Sequence, residues 1–221
     1  MDDSMIHQTP RSECLIFDLE AYVPQENRHT SGLSLAANPY RAGNILLGGV
    51  FHLFRPVTGE ILTDPAYTHH WIWRDGDEAE TVTAIYQIFS GMRDRTRGKK
   101  RSVADPVVSG VGIANFDLPF LYTKCLQHEV DDPAEIYGTV CKFRVVDMST
   151  ASIGFFPTSA LYPIPHNLMA NMFLPKRELK PTGKVVWDMF DQKEYAAVEQ
   201  RCEHEVQEMK GIFEAMRSRN F

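Results

Sequence analysis

Four carboxylates in three short contexts carry the chemistry of this chain: Asp18 and Glu20 in LIFDLE, Asp117 in NFDLPFL, and Glu205 in RCEHEV. Carboxylate oxygens are hard ligands suited to Mg²⁺ or Mn²⁺, and a pair of such ions cuts phosphodiesters. Cys14, Leu15, Ile16 and Phe17 form an apolar run of β character. A strand turns alternate side chains to opposite faces, so Asp18 and Glu20 point the same way. Half-buried and close together, two carboxylates repel, and a divalent cation between them removes that cost. By itself Asp-x-Glu also fits a strand end with two solvated acids.

The second context adds a corner. Pro106 to Ile113 reads as a buried strand broken by Gly110 and Gly112, followed at once by Asn115, Phe116, Asp117, Leu118 and Pro119. An Asp just before a Pro marks a helix start, because Pro is tolerated in the first turn, where its missing N–H needs no partner. The spacing predicts a helix over 118–128, which places Asp117 at a strand-to-helix junction facing a cleft. As a plain helix cap it contributes about 1 kcal/mol and no chemistry. The two roles are compatible.

With both contexts in hand, LIFDLEAYVP followed by VVSGVGIANFDLPFL resembles the first two motifs of the DEDD superfamily of 3′ to 5′ exonucleases. The Asn-Phe-Asp-Leu-Pro wording is similar to the proofreading domain of family B DNA polymerases. Residues 166–206 have the layout of that family's last region: a short helix, a Pro-Lys turn, a Gly, an apolar turn and a long helix. The family carries Tyr-x-x-x-Asp in that helix, whereas here Arg201 stands at the Tyr and Glu205 at the Asp. Glu keeps the charge but shifts its oxygens by about an ångström. Arg stays protonated at ordinary pH and cannot act as a base. The related subclass uses a His five residues before the Asp, a place held here by Gln200, and His204 lies about 100° around the helix from Glu205.

The resemblance covers nearly the whole chain. It implies an α/β ribonuclease H-like fold, a mixed sheet flanked by helices, built as a single exonuclease-like domain over 1–221. It further implies Asp18, Glu20, Asp117 and Glu205 as catalytic metal ligands for two ions, Mg²⁺ or Mn²⁺, one held by Asp18, Asp117 and Glu205 and the other by Asp18 and Glu20. The implied reaction is hydrolysis of DNA at single-stranded or 3′ ends to nucleoside monophosphates. Two alternatives remain open: a nucleic-acid-binding module of the same fold with weakened catalysis, and an exoribonuclease, since carboxylates do not read the 2′-OH.

Helical geometry offers a rival for the third acid. Val198, Cys202, Val206, Met209, Phe213 and Met216 recur at three- and four-residue steps and mark a core stripe. Arg201 and Glu205 fall on one flank of that stripe, Tyr195 and Glu199 on the other. Tyr195 and Glu199 have the Tyr-x-x-x-acid spacing, so a shifted register built on them is also possible. The upstream spacing and the long helix after Glu205 favour Arg201 and Glu205. His204 points to solvent.

Composition bounds these readings. A chain of 221 residues, 43% hydrophobic and 11% aromatic, suits one folded domain. The first residues carry no basic-then-apolar leader and no stretch of about 18 apolar residues occurs, so neither export nor a membrane partner is expected, and a cytoplasmic location is. Cys14, Cys125, Cys141 and Cys202 lack zinc spacing and read as buried thiols. The net charge of −6 conceals a basic cluster: Arg93, Arg95, Arg97, Lys99, Lys100 and Arg101 against Asp94 give +5, leaving −11 elsewhere. Such a cluster neutralises phosphates, and it is equally what a solvated loop looks like. Arg97, Lys99, Lys100 and Arg101, with Asn115 and Arg201, are therefore the candidate substrate-binding residues, for DNA or RNA. A protein partner or an oligomer is left open.

The remaining pattern predicts strands over 13–22, 44–55, 70–73, 107–113 and 143–147, helices over 77–92 and 118–128, and further helices at the end. The long connection over 24–43 follows the Asp-x-Glu strand and is placed to border the cleft. Asp147 ends the last strand, where it supports the cleft rather than binding metal. Trp71, Trp73, Phe155, Phe156 and Tyr162 are core residues or stacking platforms for bases.

Overall fold

The computed structural model describes residues 12–29, 36–96, 105–157, 162–174 and 183–218. A five-stranded mixed sheet runs through it in the order β3-β2-β1-β4-β5. The strands β1 (Cys14–Tyr22), β2 (Ile45–Phe54) and β3 (Thr68–Trp71) are antiparallel neighbours. Strands β4 (Val107–Gly110) and β5 (Arg144–Asp147) continue the sheet parallel to β1. Parallel neighbours need crossovers, and helices supply them. Between β3 and β4 lie α1 (Ile72–Asp75) and α2 (Glu78–Thr96); between β4 and β5 lie α3 (Asp117–Gln127) and α4 (Pro133–Val140). After β5 come α5 (Met148–Ala151), α6 (His166–Phe173), α7 (Val185–Asp191) and α8 (Tyr195–Ser218). This is the α/β architecture of a ribonuclease H-like fold, as expected.

Strand β1 sits in the middle of the sheet and divides its residues between two cores. Leu15, Phe17, Leu19 and Ala21 pack against Val82, Ile85, Phe89 and Met92 of α2 and Leu118, Leu121 and Cys125 of α3. Cys14 and Ile16 face the opposite layer, where Val198, Cys202, Val206 and Met209 of α8 meet Leu47, Val50 and Trp71. Asp18 and Glu20 continue that second face by the period-two rule, which carries them out of the apolar layer and toward the side of α8. Gly49 pairs with Leu19 across the sheet. A Cβ there would collide with the Asp18 carbonyl, so glycine lets β2 close against the backbone that bears the Asp-x-Glu pair.

Several boundaries differ from those read in the sequence. Strand β3 ends at Trp71, its last partner being Gly48, and residues 72–75 turn into α1, so Trp73 lies outside the sheet. Strand β4 stops at Gly110 and not Ile113, because Gly112 takes φ +77°, a conformation open to glycine and incompatible with a strand. Helix α2 runs on to Thr96. Cys141 is exposed at the C-terminal end of α4, whereas Cys14, Cys125 and Cys202 are buried thiols. Among the described residues no helix is long and apolar enough to cross a membrane.

Candidate active site

Asp18 and Glu20 stand at the exit of β1, flanked by the bend after β4 and by α8. The bend is held by Asp147 at the end of β5: Gly112 N–H and Ala114 N–H donate to its Oδ1 and Oδ2, each at 3.0 Å. Ser149 adds its N–H at 3.0 Å and its hydroxyl at 2.6 Å to Oδ1. Asp147 is thus saturated by four donors and fixes the turn from which α3 starts. The first residue of α3 is Asp117, whose Oδ1 accepts the Leu19 N–H at 3.0 Å and pins α3 to β1 between the two acids of that strand. Pro119 is accommodated in the first turn.

From the other side α8 lays its apolar stripe on β1. Val198, Cys202, Val206 and Met209 are buried, with Phe213 and Met216 partly so. Arg201 and Glu205 flank the stripe, and Arg201 Nη2 lies 2.8 Å from Glu205 Oε1. The Cys202 thiol contacts Asp18 Oδ2 at 3.5 Å, and Asp18, Glu20 and Cys202 each bring a ligand atom within 4.8 Å of the others. All four predicted carboxylates and Arg201 line one cleft of about 420 Å³.

The electrostatics follow from this crowding. Burial, then Glu205, Glu20 and Asp117, push Asp18 well above the usual carboxylate range. Glu20 is pushed up to about 8 by burial and by Glu205, with Arg201 pulling against them. Asp117 is raised to about 7, chiefly by burial, while the Leu19 N–H holds it down and Asp147 and Glu205 push it up. Among the described residues lining the cleft, Arg201 is the one permanently charged cation facing four acids. Hard oxygen donors at ligand spacing, with their charge uncompensated, fit a divalent cation.

No protein-family model matches the chain, and no curated protein sequence matches it. Among solved structures, the family B DNA polymerase from the hyperthermophilic archaeon Pyrobaculum calidifontis is similar over 92% of this chain, with a TM-score of 0.56 and 16% identity. That likeness shows a shared fold, the mixed sheet flanked by helices described above. It spans 24% of that polymerase's length. The nuclease domain of 3'hExo, a DEDDh family member bound to rAMP, aligns with 82% of this chain and 93% of its own, at a TM-score of 0.44 and 13% identity.

Within this fold the other sequence candidates separate. Asn115 is exposed on the bend, its N–H donating to Gly112 O at 3.0 Å, and it does not line the cleft. The rival pair is engaged elsewhere: Glu199 accepts from the Trp73 indole and the Arg74 guanidinium, and Tyr195 stacks on Trp73 with ring centroids 4.6 Å apart. His204 is exposed, as expected. Arg97, Lys99, Lys100 and Arg101 lie outside the described residues. Of the same basic run, Arg93 pairs with Glu135 and Arg95 with Glu13 at 2.9 Å each. The described part of the 24–43 connection packs Ala36 and Ala37 against Trp187, and none of it lines the cleft. Trp71 is fully buried, Phe155 meets Phe173 edge-on at 5.1 Å, and Tyr162 is exposed.

His166 and Asn167, at the start of α6, were not singled out in the sequence and do line the cleft. His166 Nε2 also lies 3.6 Å from Glu208 of α8, tying α6 to the helix that carries Glu205. The available signal was the helix start after Tyr162-Pro163-Ile164-Pro165, a run that the exonuclease resemblance leaves without a counterpart.

Proposed function

We propose that the chain is a single-domain, divalent-metal-dependent 3′ to 5′ exonuclease that hydrolyses DNA from a 3′ end to nucleoside monophosphates. The supporting observation is the convergence of Asp18, Glu20, Asp117 and Glu205, from three distant segments, on one cleft where burial and mutual repulsion raise three of them. Acids crowded in a half-buried cleft destabilise the fold unless a cation or protons neutralise them. Bound there, Mg²⁺ or Mn²⁺ supplies Lewis-acid charge to a phosphodiester and to attacking water.

The chain's own residues do the rest. Asp18 and Glu20 supply oxygens from a rigid central strand, and Asp117 supplies one more while its Oδ1 stays tied to Leu19 N–H. Asp147 holds the bend that positions Asp117 and remains outside the ligand set. Arg201 presents a guanidinium beside the acids, where it holds a phosphate by charge and bidentate donation. No tyrosine lines the cleft among its described residues. Base assistance, typically worth about 10²- to 10⁴-fold, is therefore reduced or supplied by another group. The basic run continuing into Arg97, Lys99, Lys100 and Arg101 is proposed to hold the strand backbone.

The Arg201–Glu205 pair also favours a second reading, a nucleic-acid-binding module of the same fold with little turnover. Incubating the protein with 3′-overhang DNA, blunt DNA and RNA, each with Mg²⁺, Mn²⁺ or EDTA, and sizing the products separates the two. Mononucleotides from 3′-overhang DNA with metal and none with EDTA are expected. Binding without products selects the module, and faster digestion of RNA makes the enzyme an exoribonuclease.

A further inference from the structure

The four carboxylates of the cleft do not form one uniform ligand set. Asp18 and Glu20, with the Cys202 thiol, bring their ligand atoms within 4.8 Å of one another. Glu205 is turned instead toward Arg201, 2.8 Å away, and each of those side chains is 12% exposed. At that burial the pair is little screened by salt or water, and a guanidinium, unlike an ammonium or an imidazole, does not lose its charge. Arg201 acts on Glu20 as well, drawing it toward ionisation against the push of Glu205 and burial. Asp117 has one oxygen engaged with Leu19 N–H. A permanent positive charge therefore lies inside the group of acids, on the side of Glu205.

We propose that Arg201 stands in for one of the two cations that the exonuclease resemblance implies, so that the centre takes a single Mg²⁺ or Mn²⁺, on the Asp18–Glu20 side. The proposal rests on the metal-dependent reading given above. A second divalent ion shared by Asp18, Asp117 and Glu205 would have to displace the guanidinium from Glu205 or sit next to it, and like charges at contact distance in a half-buried cleft oppose that. Arginine supplies charge and hydrogen bonds and no Lewis acidity. The residue that replaces the cation would thus be an electrostatic clamp for phosphate.

Ion counting tests this without any reference to turnover. Titration of the full chain with Mn²⁺, followed by calorimetry and by the loss of the free-ion electron paramagnetic resonance signal, should give one ion per wild-type chain and two for Arg201→Met. Glu205→Gln should leave the count at one, since Glu205 is held by Arg201 and not by metal. Two ions in the wild type overturn the proposal and leave the metal-dependent reading standing. A count of one in Arg201→Met, or of none in Glu205→Gln, overturns it as well. No ion bound by the wild type overturns both, and the wild-type count decides even where a variant fails to fold.

Discussion

At Glu199, α8 presents a carboxylate that is fully engaged: the Trp73 indole and Arg74 Nε each donate to Oε1 at 2.7 Å, and Arg74 Nη2 reaches Oε2. Six residues later, Glu205 shares a cleft with three other acids and one guanidinium. Each acid has a plausible partner four residues earlier, Tyr195 or Arg201, and the helix alone does not distinguish them. The difference lies in what the sheet brings up against each turn. Opposite Glu199 the sheet offers α1 with its Trp and Arg, and charge is balanced. Opposite Glu205 it offers the exit of β1, and charge is left in excess. The carboxylate of Glu199 has all its partners among donors; that of Glu205 shares its one guanidinium with a cleft of other acids.

The strongest way to break this comparison is Asp18→Asn. The substitution removes the charge that repels Glu20, Asp117 and Glu205 while keeping shape and the Cys202 contact. Nuclease activity should fall roughly a thousandfold or more, since losing one preorganised charge at a reacting phosphate has that scale. The metal-free fold should become no less stable, because a half-buried, repelled carboxylate is gone. Retained digestion of 3′-overhang DNA would remove Asp18 from the site, and a large drop in melting temperature would make it a structural acid like Glu199.

A second effect separates the two regions by pH. Glu20 and Asp117 lie at about 8 and about 7, raised from 4.5 and 3.8. A carboxyl group with a raised folded pKa keeps a proton that the unfolded chain has released, so the folded state binds more protons in that window and stability falls as pH rises. The contribution is intact below about pH 4 and lost as pH rises through the folded values near 7 and 8. Metal-free protein should therefore melt at progressively lower temperature from about pH 5 to about pH 8.5. Mg²⁺ or Mn²⁺ should restore stability more at the upper end, where the carboxylates are ionised and able to bind. A melting temperature that rises across the same window in EDTA would contradict the clustering of the acids.

How much of this was legible in the sequence follows from range. The two-residue alternation that sends Asp18 and Glu20 to one face, and the stripe that buries Val198, Cys202, Val206 and Met209, are local, and both appear as read. The helix signalled by the nearby proline is also there, but it starts one residue earlier than read, with Asp117 as its first residue and Phe116 in the cap position. The end of β4 is not local: the bend depends on Asp147, 35 residues beyond Gly112. The end of β3 is not local either: Trp71 and Trp73 look alike in a β-rich run, and the last pairing is that of Trp71 with Gly48. His166 and Asn167 carry no spacing relation to the acids; only the packing of α6 on α8 brings them to the cleft. Exposure of Cys141 depends on its position past the end of α4, which apolar context does not reveal.

The smallest effect belongs to the balanced turn and is the control for the other two. Glu199→Gln keeps an acceptor for the Trp73 indole and removes the charge facing Arg74, whose side chain is 51% exposed against 13% for Glu199. An ion pair with one partner largely in water stabilises by about 1 kcal/mol or less. For a chain of this length that corresponds to a fall in melting temperature of about 2–4 °C. The loss should not depend on Mn²⁺, because Glu199 faces Trp73 and Arg74 and not the acids of β1, and nuclease activity should stay within about twofold of the wild type. Loss of metal binding in Glu199→Gln would place the α8 acid of the site six residues earlier and return Tyr195 to the role that Arg201 now holds.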